Sequence, residues 1–350
     1  MPNRRHFIGT ALGASVSMLL PNAVVGQRPP ILGEKRIFPK RLRKGDVVGL
    51  VAPGYAIKRE ILEEAKTTLR AMGLIPYHTN RVTTKHGYFS NTDVERAKDL
   101  NHMFSNPEVA GILCARGGYG CTRIMHMIDY ENIKNNPKVL IGFSDITALL
   151  NGIYAETGLI TFHGPVGSTL NDPYSIEQLK KTVMEPEERL LIKNADIRDE
   201  KLLAHPEYER YVITHGTAKG RLAGGSLTLI NALIGTPHEI DFTDTLVCIE
   251  DVEEAPYRMD RMLTQLIAGK TFSKAAGILF GVSAGCHTST NPDSFSLKEV
   301  IVDRLAPLKI PAVYGMSFGH IEQNFTFPVG ITAKMDTEDM TLQLLERPVA

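Results

Sequence analysis

The chain of 350 residues has no tryptophan and only four cysteines. Any stacking platform for a ligand must therefore come from its Tyr or Phe residues. Cys114, Cys121, Cys248 and Cys286 form no Cys-x-x-Cys pair, which excludes the common zinc and thioredoxin-like spacings. Cys114 and Cys248 sit inside apolar runs and read as small core residues. No structural disulfide is expected. Excess charge is also missing: Lys plus Arg number 39 and Asp plus Glu number 39. A chain without net charge has no electrostatic footprint for nucleic acid or for an anionic membrane surface. Apart from Ala11–Leu20 there is no long apolar run, and that one is short of the about 20 residues that a membrane span needs. Internal repeats and low-complexity tracts are lacking as well.

What is present begins with Arg4-Arg5 ahead of that short apolar run. Paired arginines in this position read as a twin-arginine export signal over residues 1–27, which places the protein in the periplasm. A cytoplasmic protein with a basic tail is the alternative. Residues 28–43, with Pro29-Pro30, read as a linker. The remainder is long enough for two domains with a sizeable core, and 43% hydrophobic residues fit a globular protein.

Residues 44–171 alternate strand-like and helix-like segments. Val47–Ala52, Gly111–Ala115, Val139–Ile141 and Leu159–Phe162 are short apolar runs. Between the first two, Ile57, Ile61, Leu62, Ala65 and Leu69 recur at helical spacing. A further helix is expected from Asn91 to Phe104. This alternation implies a parallel sheet with helices on both faces, whose site lies at the carboxyl ends of the strands. Residues 172–210 are charged and irregular, and read as a domain linker. Residues 211–350 hold strand-like Leu246–Ile249 and Gly277–Val282 and a helix from Tyr257 to Ala268. Tight alternation at Phe325, Phe327, Ile331, Ala333, Met335, Met340, Leu342 and Leu344 predicts an antiparallel, β-rich end.

Chemistry concentrates where these strands stop. Val139–Ile141 leads through Gly142-Phe143 to Ser144 and then to helix-forming residues, the way a nucleophilic serine is mounted on an α/β scaffold. Ile146 stands where the full elbow has its second glycine. The plain alternative is a Ser that only caps a helix. A serine nucleophile needs an imidazole base and a carboxylate to orient it. Glu250 ends the run Leu246–Ile249, with an ion pair to Arg258 or Arg261 as its structural alternative. His320 follows strand-like Pro311–Tyr314, and only context separates it from His163 and His215.

The ordered motifs carry a resemblance. They are Ala52-Pro53-Gly54, Ala115-Arg116-Gly117-Gly118-Tyr119-Gly120, Gly142-Phe143-Ser144-Asp145-Ile146-Thr147, Thr161-Phe162-His163-Gly164-Pro165, Leu222-Ala223-Gly224-Gly225-Ser226, Ile249-Glu250-Asp251, Pro256-Tyr257-Arg258-Met259-Asp260-Arg261 and Phe318-Gly319-His320. From about Lys44 to Glu346 the chain resembles the LD-carboxypeptidase family of serine peptidases, which includes muropeptide LD-carboxypeptidases and microcin C immunity peptidases. The resemblance implies an α/β fold: a flavodoxin-like parallel-sheet N-terminal domain plus a β-rich C-terminal domain. It implies a triad of Ser144, Glu250 and His320, with the backbone N–H groups of Asp145 and Gly118 as oxyanion hole. Arg116 and Gly117 are the candidate substrate-binding residues, with Arg116 either engaging a terminal carboxylate or bracing its loop through a salt bridge. The family resemblance implies no metal and no cofactor, a homodimer, and a peptidoglycan-derived peptide ending in D-Ala as substrate. A peptidyl-nucleotide of the microcin type, a non-catalytic peptidoglycan-binding module and a cysteine amidotransferase-like enzyme are the alternatives. The last would draw on Cys114 or Cys121.

Overall fold

The structure, a computed structural model, describes residues 36–287 and 291–350. The export-signal reading of residues 1–27 lies outside the described residues, as does most of the 28–43 linker. No helix among the described residues is long and apolar enough to cross a membrane.

The first half runs β1 (Val47–Val51), α1 (Arg59–Ala71), β2 (Ile75–Tyr77), α2 (Asp93–Ser105), β3 (Val109–Cys114), α3 (Cys121–Ile124), α4 (Tyr130–Asn135), β4 (Val139–Gly142), α5 (Thr147–Thr157) and β5 (Thr161–His163). Apart from β2 and α4, which the sequence reading did not foresee, these are expected segments, with local reasons for their ends. Thr92 caps α2 by accepting from the Glu95 N–H, and α1 stops at Gly73, whose φ is +83°. The strands are parallel in the order β2-β1-β3-β4-β5. That is the flavodoxin-like order, with its switch point between β1 and β3.

The second half holds α6 (Pro173–Val183), β6 (Leu191–Ile192), α7 (Asp199–Ala204), β7 (Tyr211–Thr214), β8 (Thr217–Ser226), α8 (Leu227–Leu233), β9 (Thr245–Glu250), α9 (Pro256–Ala268), β10 (Gly277–Val282), α10 (Leu297–Leu305), β11 (Ala312–Gly319), β12 (Phe327–Val329), β13 (Thr332–Asp336) and β14 (Thr341–Leu344). Eight of its strands form one sheet in the order β6-β14-β13-β8-β9-β10-β11-β7. Its centre, β8 to β11, is parallel, and the flanking strands are antiparallel.

Two findings differ from the sequence reading. Residues 172–210 are not irregular throughout: they hold α6, β6 and α7. Asp172 caps α6, and Ser175, Leu179, Thr182 and Val183 recur at helical spacing and are buried. The surrounding charged residues mask that stripe. Second, β12 does not join the antiparallel end of the chain. It pairs antiparallel with β5 and closes the first sheet, Phe327 opposite His163. Its alternating phenylalanines fit a strand but cannot say which sheet receives it.

The two sheets meet through α5 and the end of β8. A side chain on Gly225 would come within 2.4 Å of the Thr147 hydroxyl, so only glycine admits the helix there. Asn151 then accepts from the Gly224 N–H at 3.1 Å and donates to the Gly224 carbonyl at 2.8 Å. Thr147 accepts from the Ser226 N–H at 3.0 Å. The Gly224-Gly225-Ser226 motif is thus the seam between the halves.

Candidate active site

β4 ends at Gly142, and the chain doubles back so sharply that Ser144 takes φ +63°. A non-glycine residue in that region is strained and persists only where its surroundings enforce it. Here two close approaches do so. A side chain on Gly142 would meet Ile146 at 2.8 Å, and one on Gly117 would meet Ser144 Cβ at 2.9 Å. This explains why Ile146 can replace the elbow's second glycine. Clearance comes from Gly142, and Ile146 fills the space above it, fully buried.

Ser144 Oγ lies 2.9 Å from His320 Nε2, and His320 Nδ1 lies 2.7 Å from Glu250 Oε2. With the Nδ1 proton donated to the carboxylate, Nε2 is free to accept from the serine hydroxyl. Ser144 and His320 are 176 residues apart in the chain. Glu250 is the last residue of β9 and fully buried. Burial pushes its carboxyl up, but the positive charge of His320 and the adjoining imidazoles overcome this and hold it at about 2. Burial likewise pushes His320 down, and the Glu250 carboxylate more than offsets it, leaving His320 above the ordinary imidazole value. Gly319 makes this contact possible: its φ is +115°, and a side chain there would press on Glu250 Cβ at 2.9 Å. Neither Arg258 nor Arg261 pairs with Glu250; Arg258 reaches Glu254 at 3.3 Å.

The Arg116–Gly120 loop leaves β3 beside this serine. Tyr55 donates its N–H to the Gly117 carbonyl at 3.0 Å. Gly118, with φ +99°, lies so close to the Tyr55 ring that a side chain would meet it at 2.3 Å. Among the described residues neither the Asp145 nor the Gly118 backbone N–H donates a hydrogen bond. Both therefore remain free for a ligand oxygen. Gly117 packs directly against Ser144. Arg116 is exposed at the rim. Its guanidinium lies 5.6 Å from the Tyr55 ring centroid and donates to the Ala56 carbonyl at 3.2 Å. It forms no ion pair among the described residues, so the salt-bridge alternative finds no partner there.

Sequence reasoning missed three contributors. The Asp145 side chain accepts from the Cys121 N–H at 2.8 Å and so ties the elbow to the far end of the glycine loop. Arg96, fully buried, donates to the carbonyls of Pro53 and Gly120 and braces the loops after β1 and β3. An arginine in a charged helical stretch carries no sign of this. His163, the third, lies against Glu250. The Thr161–Pro165 motif contained its signal, an imidazole ending an apolar strand. His215, by contrast, is exposed and paired with Glu338. The four cysteines are buried and unpaired. Burial raises the Cys114 and Cys121 thiols above the ordinary thiol value, which weighs against a cysteine nucleophile. A cavity of about 630 Å³ beyond Glu253, lined by Tyr257, Arg258 and Phe295, includes none of the triad. Among the described residues no cluster of acidic, His or Cys side chains is arranged to hold a metal.

Known proteins share this sequence pattern and fold. Residues 48–164 match the LD-carboxypeptidase N-terminal domain, and residues 219–335 match the LD-carboxypeptidase C-terminal domain. A probable murein peptide carboxypeptidase of Bacillus subtilis is 37% identical over 303 residues, covering 87% of this chain and 92% of its own. The murein tetrapeptide carboxypeptidase of Pseudomonas aeruginosa is 31% identical, covering 83% and 92%. Among solved structures, an MccF-like protein from Bacillus anthracis superposes with a TM-score of 0.79 at 25% identity, covering 89% of this chain and 99% of that one.

Proposed function

Because the chain belongs to the LD-carboxypeptidase family of serine peptidases, we propose that it hydrolyses the L,D bond to a terminal D-Ala in peptidoglycan tetrapeptides. The relatives named as murein carboxypeptidases support that substrate class. The single observation that carries the mechanism is the unbroken hydrogen-bonded chain from Ser144 Oγ through both nitrogens of His320 to Glu250.

In this reading His320 takes the Ser144 proton at Nε2 as the oxygen attacks the carbonyl of the L-centre. Glu250 stabilises the imidazolium that forms and keeps the Nδ1 tautomer in place. The N–H groups of Asp145 and Gly118 receive the oxyanion, and Arg116 at the rim engages the terminal carboxylate. Collapse of the tetrahedral adduct expels D-Ala, whose nitrogen takes the proton from His320. Water, deprotonated by the same imidazole, then hydrolyses the acyl-enzyme and restores Ser144. The Arg4-Arg5 pattern supports action on stem peptides in the periplasm, and the family resemblance supports a homodimer.

The test is mass spectrometry of a muropeptide tetrapeptide incubated with the purified protein and, in parallel, with Ser144→Ala. Loss of D-Ala with the native protein alone is the expected result. Release by both proteins overturns Ser144 as nucleophile. Release by neither overturns the tetrapeptide assignment and makes a peptidyl-nucleotide the next substrate to try.

A further inference from the structure

We infer that His163 is a positioning residue for the triad, an imidazole in an aromatic box that holds the second oxygen of Glu250 so that the first stays aimed at His320. This rests on the triad reading above.

Glu250 is fully buried and has two oxygens to satisfy. An ionised carboxylate accepts at both. Oε2 receives the His320 Nδ1–H. Oε1 has no hydrogen-bond partner among the described residues, and no Lys or Arg pairs with the group. The polar group near Oε1 is His163 Nε2, 3.9 Å away. His163 is itself fully buried at the end of β5, and neither of its ring nitrogens has a hydrogen-bond partner. Two orphaned buried groups facing one another are costly apart and complementary together.

The rest of the imidazole is enclosed by rings. Phe327 stacks on it at 4.4 Å and 13°, Phe318 stands edge-on at 6.0 Å, and Phe143 closes a third side at 5.9 Å. These rings offer no hydrogen-bond partner. The ionisable groups acting on His163 are Glu250 and His320, and burial lowers its affinity for a second proton. A neutral donor is what this position needs. A cation at Oε1 would compete with the His320 imidazolium for the carboxylate during turnover. A neutral Nε2–H can close from 3.9 Å to hydrogen-bond length, about 2.9 Å, and lock the carboxylate's rotation without adding a competing positive charge. His163 thus comes from the nucleophile's sheet, whereas Glu250 comes from the other. It acts through Glu250 and touches neither substrate nor Ser144.

The experiment measures D-Ala release by the full chain and by His163→Phe, His163→Gln, His163→Asn and Ser144→Ala, with kcat and KM separated and kcat/KM followed against pH. The Gln amide nitrogen reaches where Nε2 stood; the Asn amide falls short. The Phe and Asn variants are expected to lose about 10–100-fold in kcat, as second-layer partners of an active group typically do, with KM nearly unchanged. Their acid limb moves to higher pH, because a carboxylate deprived of its second donor holds the proton on His320 more tightly. His163→Gln recovers most of the rate and returns the limb. Wild-type kcat and limb in His163→Phe overturn the inference. Equal loss in the Phe and Gln variants overturns it too, since that is packing and not hydrogen bonding. If the Phe variant does not fold, equal rates for Gln and Asn are the overturning result. Activity in Ser144→Ala condemns the triad reading instead, and so separates the two failures.

Discussion

Around Ser144 the decisive neighbours are glycines; around Glu250 they are rings and ionisable groups. On the nucleophile side, Gly142, Gly117 and Gly118 leave no room for a Cβ, and the backbone itself holds Ser144 at φ +63°. On the base side Glu250 ends an extended strand, and the glycine pressed against it is Gly319, at φ +115°. There the arrangement is held by one buried carboxylate and the imidazoles facing it. The difference teaches that the two halves should fail differently. Added volume should damage the first, and changed charge or proton position the second.

The harshest test removes the nucleophile. Ser144→Ala is expected to lower kcat roughly 10⁶-fold with circular dichroism unchanged. Glu250→Gln changes only charge and donor pattern. It should cost on the order of 10⁴ in kcat, the loss known for a triad left with the wrong tautomer. Its pH profile gives a sharper reading. In the proposed mechanism activity needs neutral His320, and Glu250 raises that residue's proton affinity. The acid limb of kcat/KM should therefore lie above the ordinary imidazole value in the native enzyme and move to lower pH in Glu250→Gln. An unmoved limb would break the base-side half of the comparison.

Gly117→Ala adds one methyl, placed 2.9 Å from Ser144 Cβ and 3.1 Å from Oγ. A loss of about 10²–10³ in kcat is expected, as for a displaced oxyanion donor, with no change in the acid limb. If steady-state kinetics show native kcat instead, sterics do not hold the nucleophile. The smallest effect on activity belongs to the seam. Asn151→Ala strands the Gly224 N–H and carbonyl, and urea unfolding should show about 1–3 kcal/mol lost. D-Ala release under folding conditions should stay near native.

Much of this was legible because apolar runs, glycines and polar residues follow one another in register. Val139–Ile141 followed by Gly142 and Ser144 marks both a strand and its chemistry. Glu250 and His320 follow strand-like apolar runs, but along the chain only context separates His320 from His163 and His215. The misses share a cause. α6 hides its stripe of Ser175, Leu179, Thr182 and Val183 among charges. Arg96 and Asp145 act on backbone groups that only folding brings near. The box around His163 draws Phe143, Phe318 and Phe327 from three separate stretches, and nothing local links them. Pattern along a chain reports periodicity and turns; it does not report which distant surfaces will touch.

β12 has a consequence for the order in which the molecule comes into being. Synthesis runs from the N-terminus, and early segments begin to fold while later ones are still being made. The sheet that carries Ser144 begins with β1 to β5, yet its last edge stays open until Phe327–Val329 emerge. Open edges invite wrong partners, and so distant a pairing forms slowly. By then Glu250 and His320 have already left the ribosome. The β5 edge of the sheet that carries Ser144 is therefore covered only after Glu250 and His320 have been made.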